Sequence, residues 1–297
     1  MKQNLTLIAA ALLIATLGTA QISTPAPSPH CELEQAVGLT DITLDYSRPG
    51  VKDRTIFAAD GLVPYGEIWR TGANAATTIE FSRDVNFAGK EVPAGEYALY
   101  TIPNEGEWTV MLYSDLSLGG DVGNYDEANE VMRSTVKAND MGDWKVETFT
   151  MDLANISSEG AELELFWENT WVSVPIEVHT HDQVMSEIDK FASNPMADVA
   201  GNYLNSGWYI YNSGGDKEKA LEYMSAGCQH TTSPYKYFYL ARKAQIQADM
   251  GDYKAAVETC KAAHKSGLEA PENARGFYDN TVKDELNANM SEWKAKM

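Results

Sequence analysis

Glu162–Ile176 reads ELELFWENTWVSVPI. Leu163, Leu165 and Trp167, then Val172, Val174 and Ile176, are apolar at every second position. Successive side chains of an extended chain point to opposite faces, so this spacing predicts strands with one buried face. The same alternation occurs upstream. It is carried by Ile42, Leu44 and Tyr46, by Ile79 and Phe81, by Tyr97–Ile102, by Trp108, Val110 and Leu112, and by Val146–Met151. Val131, Arg133 and Thr135 are read as one more strand within Glu130–Lys137. Turn formers such as Pro93-Ala94-Gly95 and Asn104-Glu105-Gly106 separate the runs. Many short strands without helical patterns between them predict an antiparallel β-sandwich or barrel from Pro29 to Val178.

The period changes near His179. Val184, Ile188 and Phe191 are spaced three and four apart, as on one face of a helix. Gly215-Asp216 and Gly251-Asp252 then recur 36 residues apart. Each is followed by an alanine, Ala220 or Ala256, and then by Met224 or Cys260. This internal repeat resembles the tetratricopeptide repeat, in which small residues let two helices pack closely. Tyr211 and Pro271 fit that pattern, whereas Gln247 stands where an aromatic is expected. The expectation is an α-helical, tetratricopeptide-like region over residues 181–297 that offers a groove to a protein partner.

At the other end, Lys2, the apolar run Leu5–Leu17, and Gly18 and Ala20 read as a signal peptide over residues 1–20. The run is too short to span a bilayer. An extended arm, residues 21–28, held open by its prolines, would follow. Cleavage near Ala20 would place the protein in the periplasm or outside the cell, with no membrane span.

The formal charge is −20, and it is unevenly placed. Gln21–Val178 holds 9 Lys and Arg against 27 Asp and Glu, a balance of −18, while His179–Met297 holds 13 against 16, or −3. A field of that sign repels phosphate backbones, so nucleic acid is excluded as a partner. Three cysteines, Cys31, Cys228 and Cys260, are too few for a disulfide framework. Cys228 and Cys260 read as small apolar residues on helices, and Cys31 falls with His30 in the arm.

One segment departs from any period. Leu62–Asn74, LVPYGEIWRTGAN, combines aromatics, an arginine and glycines. Residues 47–74 carry Arg48, Lys52, Arg54 and Arg70 against Asp53, Asp60 and Glu67, a balance of +1 within the acidic part. Arginine presents a planar fork to oxygen acceptors, and Trp or Tyr can stack on a sugar ring. Tyr46, Arg48, Arg54, Tyr65, Trp69, Arg70 and Asn74 are therefore the candidate pocket for a sugar-like or anionic small ligand. The alternative is that these arginines pair with local carboxylates while Trp69 and Tyr65 cover the core. His179 and His181 would share a face on a strand, yet no third ligand accompanies them, so no metal site is expected. Nothing calls for a cofactor. Ser47 and Ser82 lack a nearby histidine, and no nucleophile elbow occurs.

With the strands placed, YSRPGVKDRTIFAADGLVPYGEIWRTGANAAT, FSRDVNFAGKEVPAGEYALYTIP, EWTVML and ELELFWENTWVSVPI together resemble the domain-of-unknown-function family numbered 2911. The resemblance runs from Pro29 to Ile176. It implies an exported β domain with a shared surface, and no reaction. This chain has Ala75 where that family's pattern has a glutamate, and Lys52-Asp53-Arg54 where a Lys-Gly-Arg run is usual. The expected function is a non-enzymatic ligand- or partner-binding scaffold of the cell envelope. The alternative is a hydrolase acting on a polar or sugar-like substrate around Arg70.

Overall fold

The computed structural model describes residues 24–192 and 199–297. The expected signal peptide and the first residues of the arm lie outside them. The chain divides into two compact units, the first ending at Thr180 and the second beginning at His181.

The first unit has thirteen strands among the described residues. They are β1 (His30–Val37), β2 (Thr40–Ser47), β3 (Phe57–Ala58), β4 (Val63–Pro64), β5 (Thr77–Phe81), β6 (Val85–Phe87) and β7 (Lys90–Val92). There follow β8 (Gly95–Pro103), β9 (Glu107–Tyr113), β10 (Glu130–Asp140), β11 (Val146–Ala154), β12 (Gly160–Glu168) and β13 (Thr170–Val178). Antiparallel pairing runs β1-β2-β5-β8-β9-β10-β13-β12-β11. β10 is used twice: Met132–Lys137 pair with β9, and Ala138–Asp140 pair with β13. The sheet thus folds over at β10 into two facing layers. The far edges are also joined, because Val51 donates its N–H to the Glu147 carbonyl at 2.7 Å and Phe149 donates to the Pro49 carbonyl at 2.8 Å. The result is an antiparallel β-sandwich, sewn along both sides.

The alternation fills its interior. Ile42, Leu44, Phe81, Leu99, Val110, Leu112, Leu163, Leu165, Val172 and Val174 are all buried in one cluster. Along β10 the inward side is Met132 and Val136, so Val131, Arg133 and Thr135 form its outward side. β8 and β9 break the one-faced rule: Ala98, Tyr100, Met111 and Tyr113 are buried as well. The strap of residues 114–129 lies over that second face, with Leu118, Val122 and Tyr125 packed on it. His30 and Cys31, expected in the arm, belong to β1, where Cys31 stands opposite Tyr46. The strand signal there is weak because only Cys31, Leu33 and Val37 of that edge strand pack on the core.

The second unit is helical: α1 (Thr180–Ala192), α2 (Val199–Asn212), α3 (Lys217–His230), α4 (Lys236–Asp249), α5 (Tyr253–Leu268), α6 (Glu272–Phe277) and, after a π-helical turn at Tyr278–Val282, α7 (Lys283–Ala295). The repeated Gly-Asp marks a helix start each time. Asp216 caps α3 by accepting from Glu218 N at 2.8 Å, and Asp252 caps α5 by accepting from Ala255 N at 2.9 Å. Ala220, Ala256, Met224 and Cys260 are each fully buried. Gly207 on α2 explains how close the first pair approaches: a Cβ there would lie 2.8 Å from both the Ala220 carbonyl oxygen and the Met224 nitrogen. Gln247 is buried too, and accepts a 2.7 Å hydrogen bond from the Thr259 hydroxyl. A polar pair replaces the expected ring.

Candidate functional site

The seven residues singled out in the sequence do not line one pocket. Trp69 sits in the middle of the core. Its ring stacks on Trp167 at 5.7 Å between centroids and meets Phe57, Trp108 and Phe149 edge-on. Its indole N–H donates to the Gly72 carbonyl at 3.0 Å. Tyr46 is likewise buried; its hydroxyl donates to the Met151 carbonyl and accepts from Met151 N, each at 3.0 Å. Neither ring offers a face to a ligand.

The arginines are engaged by backbone carbonyls, not by the local carboxylates expected as the alternative. Arg48 donates through Nε to the Phe149 carbonyl at 3.0 Å and through Nη2 to the Thr150 hydroxyl at 2.6 Å, which ties the tail of β2 to β11. Arg54 folds back on its own loop, onto the carbonyls of Val51 and Gly50. Arg70 reaches the Gly120 carbonyl at 3.1 Å and pins the strap. The fit there is tight, since a Cβ on Gly120 would lie 2.6 Å from the Asn74 carbonyl oxygen and 2.9 Å from Arg70 Nη1. Asn74, in the left-handed region at φ 61°, donates to the Ser28 carbonyl and to Ser47 Oγ. Ser82 Oγ accepts from Asp41 N.

Tyr65 differs from the others. It lines an open concavity of about 250 Å³ at the end of the sandwich where three turns meet. Asn104, Glu105 and Gly106 come from the β8–β9 turn, Asn139 and Asp140 from the end of β10, and Asn169 and Thr170 from the β12–β13 turn. Phe57 and Trp108, both buried, also contribute to the lining. Asp140 Oδ1 accepts from Gly142 N at 2.8 Å and from Asn169 Nδ2 at 3.1 Å, so the amide and carboxylate hold one another in place. Burial raises the Tyr65 phenol above its ordinary value, and Glu105 and Glu168 raise it further. Lys145 Nζ lies 3.7 Å from Glu168. The concavity combines aromatic surface, amides and negative charge, which suits hydroxyl-rich or cationic groups and repels anions.

These lining residues escaped the sequence reading because they sit in turns. Asn104-Glu105-Gly106 marks a turn, and nothing local says that it meets Asn139 and Asn169. The signal lies in the topology: turns at one end of alternating strands converge. His179 and His181 do not share a strand face, because Thr180 starts α1. His179 Nε2 lies 3.2 Å from Glu91, and His181 Nδ1 lies 3.3 Å from the Tyr209 hydroxyl.

Comparison with known proteins gives one result. Residues 28–176, half of the chain, match the family described as "Protein of unknown function (DUF2911)". No curated protein and no solved structure matches the chain.

Proposed function

We propose that this chain, a member of the DUF2911 family of proteins of unknown function, is an exported binding module of the cell envelope whose β domain holds a neutral, hydroxyl-rich ligand such as a sugar. The observation that carries this reading is the concavity beside Tyr65, where Asn104, Asn139, Asp140 and Asn169 stand next to aromatic surface. Amides and carboxylates exchange hydrogen bonds with hydroxyls, and a ring can cover the apolar face of a sugar. Glu105, Asp140 and Glu168 make an anionic ligand the poorer choice here. The arginine-rich loop, which would serve a hydrolase around Arg70, has its donors on carbonyls instead.

The helical hairpins resemble tetratricopeptide repeats in their turn, their small residues and their period, and we assign them the docking of a protein partner. The sugar reading is tested by titrating the purified chain with a panel of neutral, acidic and basic oligosaccharides, using calorimetry. Saturable binding of a neutral member is expected, weakened about tenfold by Tyr65→Ala, the scale of one lost aromatic contact. Binding that ignores this substitution, or no binding across the panel, overturns it.

A further inference from the structure

Arg242 on α4 is placed unlike the other half-buried arginines. Arg48, Arg70 and Arg275 each donate to a carbonyl, hydroxyl or carboxylate acceptor. Arg242 instead lies between two rings, with its guanidinium carbon 4.3 Å from the centroid of Trp208 on α2 and 4.1 Å from that of Phe238 on α4. Among the described residues no carboxylate or carbonyl is bonded to it. Burial lowers its pKa below the ordinary value, opposed by the nearby Tyr239, which fits a cation partly stripped of water.

Stacking occupies the faces of a guanidinium and leaves its in-plane N–H edge, the edge that matches the two oxygens of a carboxylate. Arg242 also lines a cavity of about 210 Å³ in the helical unit. Trp208, Phe238 and Leu286 supply apolar walls, and Gln245 and Asn289 supply amides, so that α2, α4 and α7 all contribute. The volume falls below the roughly 300–1,000 Å³ of pockets for drug-sized ligands. It has room for one apolar side group with its acid. A dianion such as a phosphate is disfavoured, because a single cation serves the cavity and Glu285 lines it too.

We infer that Arg242 and its two rings form a receptor for a monovalent carboxylate borne on a small apolar group, as at the free C-terminus of a peptide ending in an apolar residue. The inference rests on the docking role proposed for the helical region and gives that role a chemistry. It is independent of the sugar reading of the β domain.

The test uses the full chain and four probes: N-acetylphenylalanine, its amide, the tetrapeptide Ala-Ala-Ala-Phe and the amide of that tetrapeptide. Both acids, or the tetrapeptide acid alone, are expected to saturate, with the matching amides weaker by at least about tenfold, as for loss of a hydrogen-bonded charge pair. Binding of both acids assigns the site to small acids in general, whereas binding of the tetrapeptide alone assigns it to a chain end. Arg242→Gln should weaken the acid about tenfold or more, Arg242→Lys should not restore it, because lysine lacks the fork, and Glu285→Gln should leave it unchanged or tighter. Equal binding of acid and amide, no saturation by any acid, or full affinity in a helical Arg242→Gln overturns the inference. If that variant fails to fold, the acid-to-amide ratio on the parent chain decides. A protein partner captured equally by parent and Arg242→Gln chains would sink the carboxylate site and leave the docking role standing.

Discussion

Arg242 of the helical unit is used in the opposite way to Arg48, Arg54 and Arg70 of the sandwich. In the sandwich, Arg48 spends its donors on a carbonyl and a hydroxyl of β11, and Arg54 and Arg70 spend theirs on carbonyls of the loops around them. In the helical unit, where backbone groups bond within each helix, Arg242 is left between two rings with its N–H edge unclaimed. A guanidinium beside aromatics is therefore a poor guide to function until its acceptors are known. Arg275 of the helical unit donates to Asp279 and to the Leu268 carbonyl, so the contrast belongs to Arg242 and not to helices in general.

That contrast can be broken most severely at the centre of the sandwich. Trp69→Ala removes a ring from a buried aromatic cluster and is expected to cost about 3–5 kcal/mol, read by thermal unfolding of the β unit. A loss under 1 kcal/mol would mean that Trp69 does not hold the core, and would reopen it as a ligand platform. Gly207→Val presses a side chain onto α3 and should cost about 1–3 kcal/mol. Two resolved calorimetric transitions should show only the helical one moving. Arg48→Ala removes two bonds between β2 and β11 and should lose about 1–2 kcal/mol, whereas Arg54→Ala, on an exposed loop, should stay within about 0.5 kcal/mol. If Arg242→Gln proves as destabilising as Arg48→Ala, the two uses of arginine collapse into one.

The smallest effect concerns the strap. Burial pushes the Tyr100 phenol up to about 12, and Tyr125 is raised too, first by burial and then by its hydrogen bond to Glu130. Below the unfolded value near 10 both states keep these protons, so the stabilisation is complete there. As pH rises from about 10 through about 12 the unfolded chain gives up protons that the folded chain retains, and stability falls. Alkaline titration followed by tyrosinate absorbance should show a late-titrating class of tyrosines, which Tyr100→Phe reduces.

How much of this was legible depends on where the cause lies. Ile42, Leu44 and Tyr46, or Leu163, Leu165 and Trp167, announce their strands because burial of one face is written at every second residue. Asp216 and Asp252 announce their helices because capping acts within three residues. The 36-residue recurrence of Gly-Asp in the helical unit is visible for the same local reason. Trp69, by contrast, looked like a binding residue since its loop has no period, and only the closure of two layers sends that loop inward. Tyr65 drew notice for the right composition, but its neighbours Asn104, Asn139 and Asn169 lie far away in sequence. Arg242 gave no signal at all, because an arginine four residues after a phenylalanine is ordinary on any helix; the third element, Trp208, comes from another turn of chain.

The seam where Val51 and Phe149 exchange bonds with Glu147 and Pro49 joins positions about a hundred residues apart. Contacts of that span slow folding, because the intervening chain must be gathered before they form. A nascent polypeptide would present β1 and β2 long before residue 149 arrives. Until then the Pro49–Val51 segment stays unpaired and open to wrong partners, so this chain should depend on a holding chaperone during folding more than a hairpin-by-hairpin folder of equal length.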